Sequence, residues 1–341
     1  MDTLFFLMRK GFIVGFTLCF FSVFGTILTV SDLWASCGSA NCFLVTGTQE
    51  GISNKGQMTL DISYRYIPMD DVQKGSSGTN EALVPGINFE TGKIEAAHHR
   101  EIRTINELMQ VDVGYGVSER FTLQVSIPLM NNRSHEHWNE VGTSEEFFTR
   151  EDGASGLGDV RITGRYALAI RTKDLLVIGG GLKLPTGEYK LRSSEGGINE
   201  PTIMPGTGSY DFLASLFYSY QIIPHNLDAF FSGSYQFNTE NNLDYKFGNQ
   251  TIVNGGLGYT VNETVSVSTQ LNFRTSPHDT FKGNQVDSSG GIWLYFTPGI
   301  RVQASERLGL YSFVQLPIYQ YVNEVNLVPR FALALGASYA F

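Results

Sequence analysis

Apolar and polar residues alternate with a period of two along most of this chain, in segments of roughly ten to sixteen residues. They lie at about residues 57 to 67, 101 to 116, 120 to 130, 157 to 170, 175 to 187 and 208 to 222, and again at about 227 to 239, 248 to 261, 264 to 275, 289 to 302, 307 to 319 and 327 to 341. In the third, Phe121, Leu123, Val125, Ile127 and Leu129 alternate with Thr122, Gln124 and Ser126; in the ninth, Val265, Val267, Leu271 and Phe273 alternate with Ser266, Ser268, Gln270, Asn272 and Arg274. Period two is the signature of strands. These predicted strands are about twice as long as the five or six residues usual in soluble sheets, and a tilted strand that crosses a bilayer needs roughly this length.

The connections sort by length. VSER, RTKD, IPHN, VNET and ASER are tight, whereas the alternate connections, at about 68 to 100, 131 to 156, 188 to 207, 240 to 247, 276 to 288 and 320 to 326, are longer and polar. Short turns at one end and long loops at the other, on an even number of antiparallel strands, describe an outer-membrane barrel. An open sheet edge is not tolerated in lipid, so twelve strands must close on themselves. The oily face then meets hydrocarbon and the polar face lines a lumen. The terminal RFALALGASYAF is the closing strand, with Tyr339 and Phe341 at an interface where aromatics gather. One position resists the scheme: Glu107 falls on the oily face beside Ile105 and Met109, which calls for a bulge or a shifted boundary.

The expected organisation is a signal peptide at 1 to 36, an N-terminal periplasmic segment at 37 to 56, and an all-β, closed transmembrane barrel at 57 to 341. Arg9 and Lys10 precede a long apolar run and a small-residue stretch, as in a secretory leader; an uncleaved membrane helix is the rival reading. Trp34 stands where a lipidation signal prefers Leu, which argues against a lipoprotein. With Cys19 in the leader, Cys37 and Cys42 of CGSANC remain as an even pair, most economically a local disulfide. Composition agrees with sheet: 13% aromatic residues, 37 glycines and only 17% charged residues. A net charge of −9 without a Lys/Arg run excludes a nucleic-acid partner.

SGLGDVRITGRYAL (155 to 168) followed by GGGLKLPTGEY (179 to 189) resembles the outer-membrane channel and transporter family named after a phenol meta-cleavage degradation pathway. The terminal Phe of an alternating last strand resembles the signal read by the bacterial barrel-assembly machinery. The resemblance implies export to the bacterial outer membrane and passage of small organic molecules; it brings no binding residues with it. CGSANC and the large second loop stand outside the family's core pattern.

Alternation directs Arg65, Asp112, Asp159, Arg161 and Arg165 into the lumen, with Asp61 beside them. It does the same for Lys183, Asp211, Asp228, Arg274, Arg301 and Arg330. Such charges either neutralise one another or, through Arg161, Arg165, Arg274, Arg301 and Arg330, form a basic ladder that favours anions, as charged rings do in pores. Four histidines also converge. Folding the chain about VSER pairs residues whose numbers sum to about 237, which brings His135 and His137 of SHEHWNE opposite the stretch that follows His98 and His99. An extended HEH aims both imidazoles one way, with Glu101 or Glu136 as an oxygen ligand: a Zn or Cu arrangement, set against a merely solvated loop. No other cofactor is called for. The acidic second loop, with Glu136, Glu140, Glu145, Glu146, Glu151 and Asp152 against Arg133 and Arg150, is a mouth for cations or simply a solvated charge run.

The reading is a monomeric barrel in contact with the lipid bilayer that conducts or binds a small organic solute, anionic or aromatic. Two alternatives follow from the same chain. A plugged structural or adhesive barrel would use the Gly- and Ser-rich first loop around KGSSGTN as its plug. An outer-membrane lipase needs a serine activated by a base, and Ser134 beside His135 lacks that family's motif.

Overall fold

The computed structural model describes residues 51–150, 153–193 and 196–341; the leader, Cys37 and Cys42 lie outside the described residues. The alternating segments form twelve antiparallel strands: β1 Met58–Gly75, β2 Lys93–Ser118, β3 Phe121–Asn139, β4 Arg161–Ile170, β5 Asp174–Lys183, β6 Asp211–Ile223, β7 Leu227–Phe237, β8 Gln250–Thr260, β9 Val265–Ser276, β10 Gly291–Gln303, β11 Leu308–Pro329 and β12 Ala332–Ala340. Each pairs with the next. β1 pairs with β2 along one edge and with β12 along the other, Thr59 opposite Ala340 and Tyr66 opposite Leu333, so the sheet closes into a barrel. β11 runs over a hairpin at Asn323 and Glu324, where Glu324 takes a φ of 46°, and residues 325–329 already descend beside β1.

The faces separate as the alternation demands. Ile62, Leu123, Ile178, Phe231, Leu257, Leu271 and Leu335 turn outward and are 40–45% exposed, while Ser63, Thr122, Ser232, Gln270 and Asn272 are buried inside. An apolar girdle of this extent would be a liability in water and is the favourable surface in lipid. Aromatics mark its two borders. Tyr210, Phe212, Phe237, Tyr319 and Phe331 stand outward at the long-loop end, and Tyr115, Tyr220, Tyr259 and Phe341 at the short-turn end. On β6, Phe212 and Tyr220 lie eight residues apart, about 26 Å along the strand and about 20 Å along the barrel axis at a tilt of about 40°, within the apolar band of about 25 Å.

The departures from the expected strands lie at the outer end. β1, β2 and β3 run for 18, 26 and 19 residues, well past the point where their outer faces stop being apolar. Two bulges invert their faces. Met109 pairs with Met130 and Gln110 with Pro128, leaving Leu129 extra on β3; Glu101 pairs with His137 and Arg103 with Glu136, leaving Ile102 extra on β2. Below the bulges Thr122 and Asp112 point inward; above them His99, Arg133, His135 and His137 do. Glu107 needs neither device. It faces outward in unshifted register, and its carboxylate accepts hydrogen bonds from the Tyr64 hydroxyl and, at 2.9 Å, from the Asn132 amide, which share that face.

The first long connection folds over the outer end, where Val84, Pro85 and Ile87 border a cavity beside Glu101 and His135. Its strand Leu83–Asn88 pairs with the top of β2, and Ile87 and Phe89 pack on Tyr245, Phe281 and Val286 from two later loops, so the outer loops knit into one cap. At the opposite end residues 51–57 rise along β2: Gly56 N–H donates to Gly116 O at 2.7 Å and Ser53 N–H to Thr122 Oγ1 at 2.8 Å. Gly116 permits this, because a Cβ there would stand 1.9 Å from the Asn54 carbonyl oxygen.

Candidate functional site: the lumen and its outer end

The two quoted motifs meet in space, and Asp159 is their junction. Its carboxylate accepts from the Gly187 amide at 3.0 Å, the Thr207 amide at 2.9 Å and hydroxyl at 2.7 Å, and the Lys183 ammonium at 2.8 Å. Lys183 also reaches Asp211 at 2.8 Å, and Asp211 takes further bonds from Ser209 and Gln236. All three charges are nearly sealed from solvent, at 7%, 2% and 1% exposure for Asp159, Lys183 and Asp211. Thr186 Oγ1 accepts from the Val160 amide and donates to Gly158 O, which locks PTG onto SGLGD. Gly179 and Gly181 face the lumen opposite Arg165 and Thr163, and a Cβ on either would come within 2.6 Å of a neighbour, so the GGG run clears space for the inward arginines.

The remaining lumen charges are distributed rather than stacked in one ladder. Arg161 lies at the level of Lys183 and Asp211 in the β4–β5–β6 register. Asp61 and Asp112 face each other across β1 and β2; Asp61 accepts from the Tyr311 hydroxyl at 2.7 Å, and Asp112 from Gln110 and Gln124. Arg165 donates to Gln124 Oε1 at 2.6 Å and Arg301 to Ser338 Oγ at 3.0 Å. Arg65 alternates inward with Asp61 and Ser63 on β1 and is partly exposed. Arg274 is 1% exposed and stacks over Trp293 at 4.8 Å from the ring centroid. Arg330 leaves the set: the irregular pairing around Asp70 turns it out of phase, and it stands exposed, bonded to Asp70 and Asp71. A neutral wall completes the lumen, with Asn254 donating to Ser232, Asn272 to Asn254, and Thr297 to Asn272 across β7 to β10.

A short turn, Pro201–Ile203 with Met204 after it, stands across this interior. On its outer side a cavity of about 70 Å³ is bounded by Glu101, Thr104, His135, Glu200 and Ile203; on its inner side one of about 50 Å³ is bounded by Gln110, Arg133, Arg161, Lys183, Asp159 and Met204. Thr202 borders both. Each volume suits a few water molecules, so the interior is narrow on both sides of the turn.

Of the four candidate histidines, three converge with Glu101. His99 Nε2 is 3.0 Å from Glu101 Oε1 and His135 Nε2 is 3.4 Å from Glu101 Oε2. The His137 ring lies 4.4 Å from that of His135 and 5.1 Å from that of His99, centroid to centroid. His98 touches His99 but aims Nε2 at Glu140 and Glu95. The observed partners sum to 238 below the bulges, to 239 once Leu129 is added on β3, as for Thr104 with His135, and to 238 again past Ile102, as for Glu101 with His137. Glu136 turns outward to Arg103, so Glu101 is the carboxylate of the group. Glu200 faces the cluster from the start of the Pro201–Ile203 turn and accepts from the Ile87 amide; burial pushes its carboxyl up, the His99 and His137 rings oppose that rise, and Glu101 adds to it.

Ser134 and His135 occupy opposite faces, one exposed and the other 3% exposed, so they cannot act as a nucleophile and base. Arg133, which the sequence assigns to the loop charge run, is an inward residue of β3, 2% exposed and bonded to Asn131. With Thr207 and Glu200 it escaped the sequence reading: residues 131–139 are polar on both faces, and the long loops carry no period.

No functionally curated protein matches the sequence. Among solved structures the chain is similar to the COG4313 outer membrane channel from Pseudomonas putida F1, with a TM-score of 0.59 and 12% identity over 87% of this chain and 100% of that one. Lower similarity is found to the P. putida toluene transporter TodX, at 0.44 and 10% over 91% and 98%, and to a Pseudomonas aeruginosa FadL homologue, at 0.40 and 10% over 90% and 97%. The fold is that of a bacterial outer-membrane channel. The family profile described as the MetA-pathway of phenol degradation matches residues 90–320, and the chain belongs to that family.

Proposed function

We propose that the protein is an outer-membrane channel through which small organic solutes diffuse, that carboxylate-bearing solutes are favoured, and that the Pro201–Met204 turn sets the size limit. The observation that carries this reading is the cavity on the inner side of the turn. Its charged lining is Arg133, Arg161 and Lys183 against Asp159; Lys183 is taken up by Asp159 and Asp211, so an anion arriving there meets the two guanidinium groups as the excess charge. Arg65 and Arg165 extend the positive field along the wall. The amide wall of β7 to β10 offers hydrogen bonds in place of lost hydration. The family's description, the MetA-pathway of phenol degradation, agrees with an organic solute.

Reconstitution of the purified chain in a planar bilayer tests this. Stepwise conductance is expected, with a reversal potential in a salt gradient that reports anion preference, weakened in Arg161→Gln. Replacing residues 201–204 by a Gly-Ser linker should raise the unit conductance. A silent trace from the native chain and the linker variant alike would favour a plugged structural barrel, and cation preference would refute the anionic reading.

A further inference from the structure

We propose that the outer end of the lumen holds a divalent transition-metal site, with His99, Glu101 and His135 as ligands, the His137 ring packed beside them, and an ion of the zinc class as occupant. The site does not depend on whether the barrel conducts. One donor atom from each of His99, Glu101 and His135 lies within 4.8 Å of the others. The two imidazole-to-carboxylate separations, 3.0 Å to Oε1 and 3.4 Å to Oε2 of Glu101, lie at or just below the roughly 3.4 Å expected between two donors on one tetrahedral ion with bonds of about 2.0–2.1 Å. His137 extends from the same face of β3 two residues above His135.

Three features separate this group from ordinary surface histidines. The first is burial, at 3%, 3% and 5% exposure for His99, His135 and His137. The second is orientation: Thr104 Oγ1 lies 2.8 Å from His135 Nδ1, which leaves Nε2 directed at the carboxylate, the arrangement by which an outer partner fixes a ligating imidazole. The third is charge. Glu101 and Glu200 border one cavity with His135, so the formal charge brought close to the rings is carboxylate, which a dication compensates. Imidazoles with one carboxylate suit Zn or Cu, whereas Ca and Mg demand mostly oxygen ligands. The ligands also come from the segment where the paired bulges reverse the strands' faces; without those bulges the rings would point to solvent.

The test is calorimetric titration of Zn²⁺ into the purified, chelator-stripped barrel in detergent, made in a Cys37→Ser, Cys42→Ser background so that thiols contribute nothing. One ion per chain is expected. His135→Ala with His137→Ala should weaken binding by at least about 100-fold, and Thr104→Val by about 10-fold, the scale of losing an outer-shell partner. Cu²⁺ bound in place of Zn²⁺ should show magnetic coupling to several imidazole nitrogens in its paramagnetic resonance spectrum. Folding is read independently from the mobility difference between heated and unheated barrel on a gel. If the double variant does not fold, Glu101→Gln replaces it, with a loss of about 10-fold or more expected. Absence of saturable binding, unchanged affinity in the variant used, or a Cu²⁺ spectrum without several nitrogens would overturn the site.

Discussion

Replacing Lys183 by Met probes whether the junction of the two family motifs is as dry as its burial indicates. The ammonium lies 2.8 Å from both Asp159 and Asp211 at 2% exposure. Removing one partner from a buried ion pair costs about 3–5 kcal/mol, chiefly through the uncompensated charge left behind. Here two carboxylates are left, but each keeps other donors, Asp159 the Gly187 and Thr207 groups and Asp211 those of Ser209, Gln236 and Thr239. That support sets the expectation near the lower end, about 3 kcal/mol. Adding Asp211→Asn should return a part of it, since one orphan charge becomes a neutral amide; a double-mutant cycle measures the coupling. The assay is reversible urea unfolding of the barrel in lipid vesicles, followed by tryptophan fluorescence. A Lys183→Met cost below about 1 kcal/mol, the scale of an exposed pair, would mean that water reaches the triad and that these charges belong to an open lumen.

Two further outcomes follow from the packing. Gly116→Val should displace residues 51–57 from the lower mouth, because the added Cβ meets the Asn54 backbone; a cost of about 1–3 kcal/mol and new protease cleavage in that segment are expected, and an unchanged digest would refute the contact. Glu107→Leu removes an outward carboxylate that only Tyr64 and Asn132 are seen to serve; near the membrane interface the change should alter unfolding free energy by no more than about 1 kcal/mol, and a large loss would show that Glu107 does not face lipid.

How much of this was legible in the sequence depends on contrast between the two faces. In β9 the outward residues are apolar except Thr269 and Thr275 against polar inward ones, and in β10 every outward residue from Ile292 to Val302 is apolar, so the strand, its register and its orientation all follow from alternation. Contrast vanishes where both faces are wetted. Residues 131–139 read as loop, yet they continue β3 with Arg133, His135 and His137 inside, and no hydrophobic signal marks the bulge at Leu129 that puts them there. Arg330 failed for the related reason that a register shift near Asp70 is silent in the alternating pattern. The interior also holds aromatic residues, Trp293, Tyr295, Tyr311 and Phe313, each under 10% exposed; alternation alone places them inside but gives no cause for aromatics there. Convergence of His99, His135 and His137 was foreseeable from hairpin geometry, whereas the turn of His98 toward Glu140 and the approach of Glu200 were not, since both depend on where long loops return.

The account as a whole rests on which side of the sheet meets lipid, and adjacent residues of β10 test that most directly. Phe296 is 40% exposed on the outer face and Tyr295 is 2% exposed inside. Each is replaced by Trp in turn, in a background with Trp138 and Trp293 changed to Phe, and the barrel is reconstituted in lipids with brominated acyl chains. Strong quenching of the tryptophan at 296 and little at 295 is the predicted result; equal quenching at both positions, or stronger quenching at 295, would contradict it.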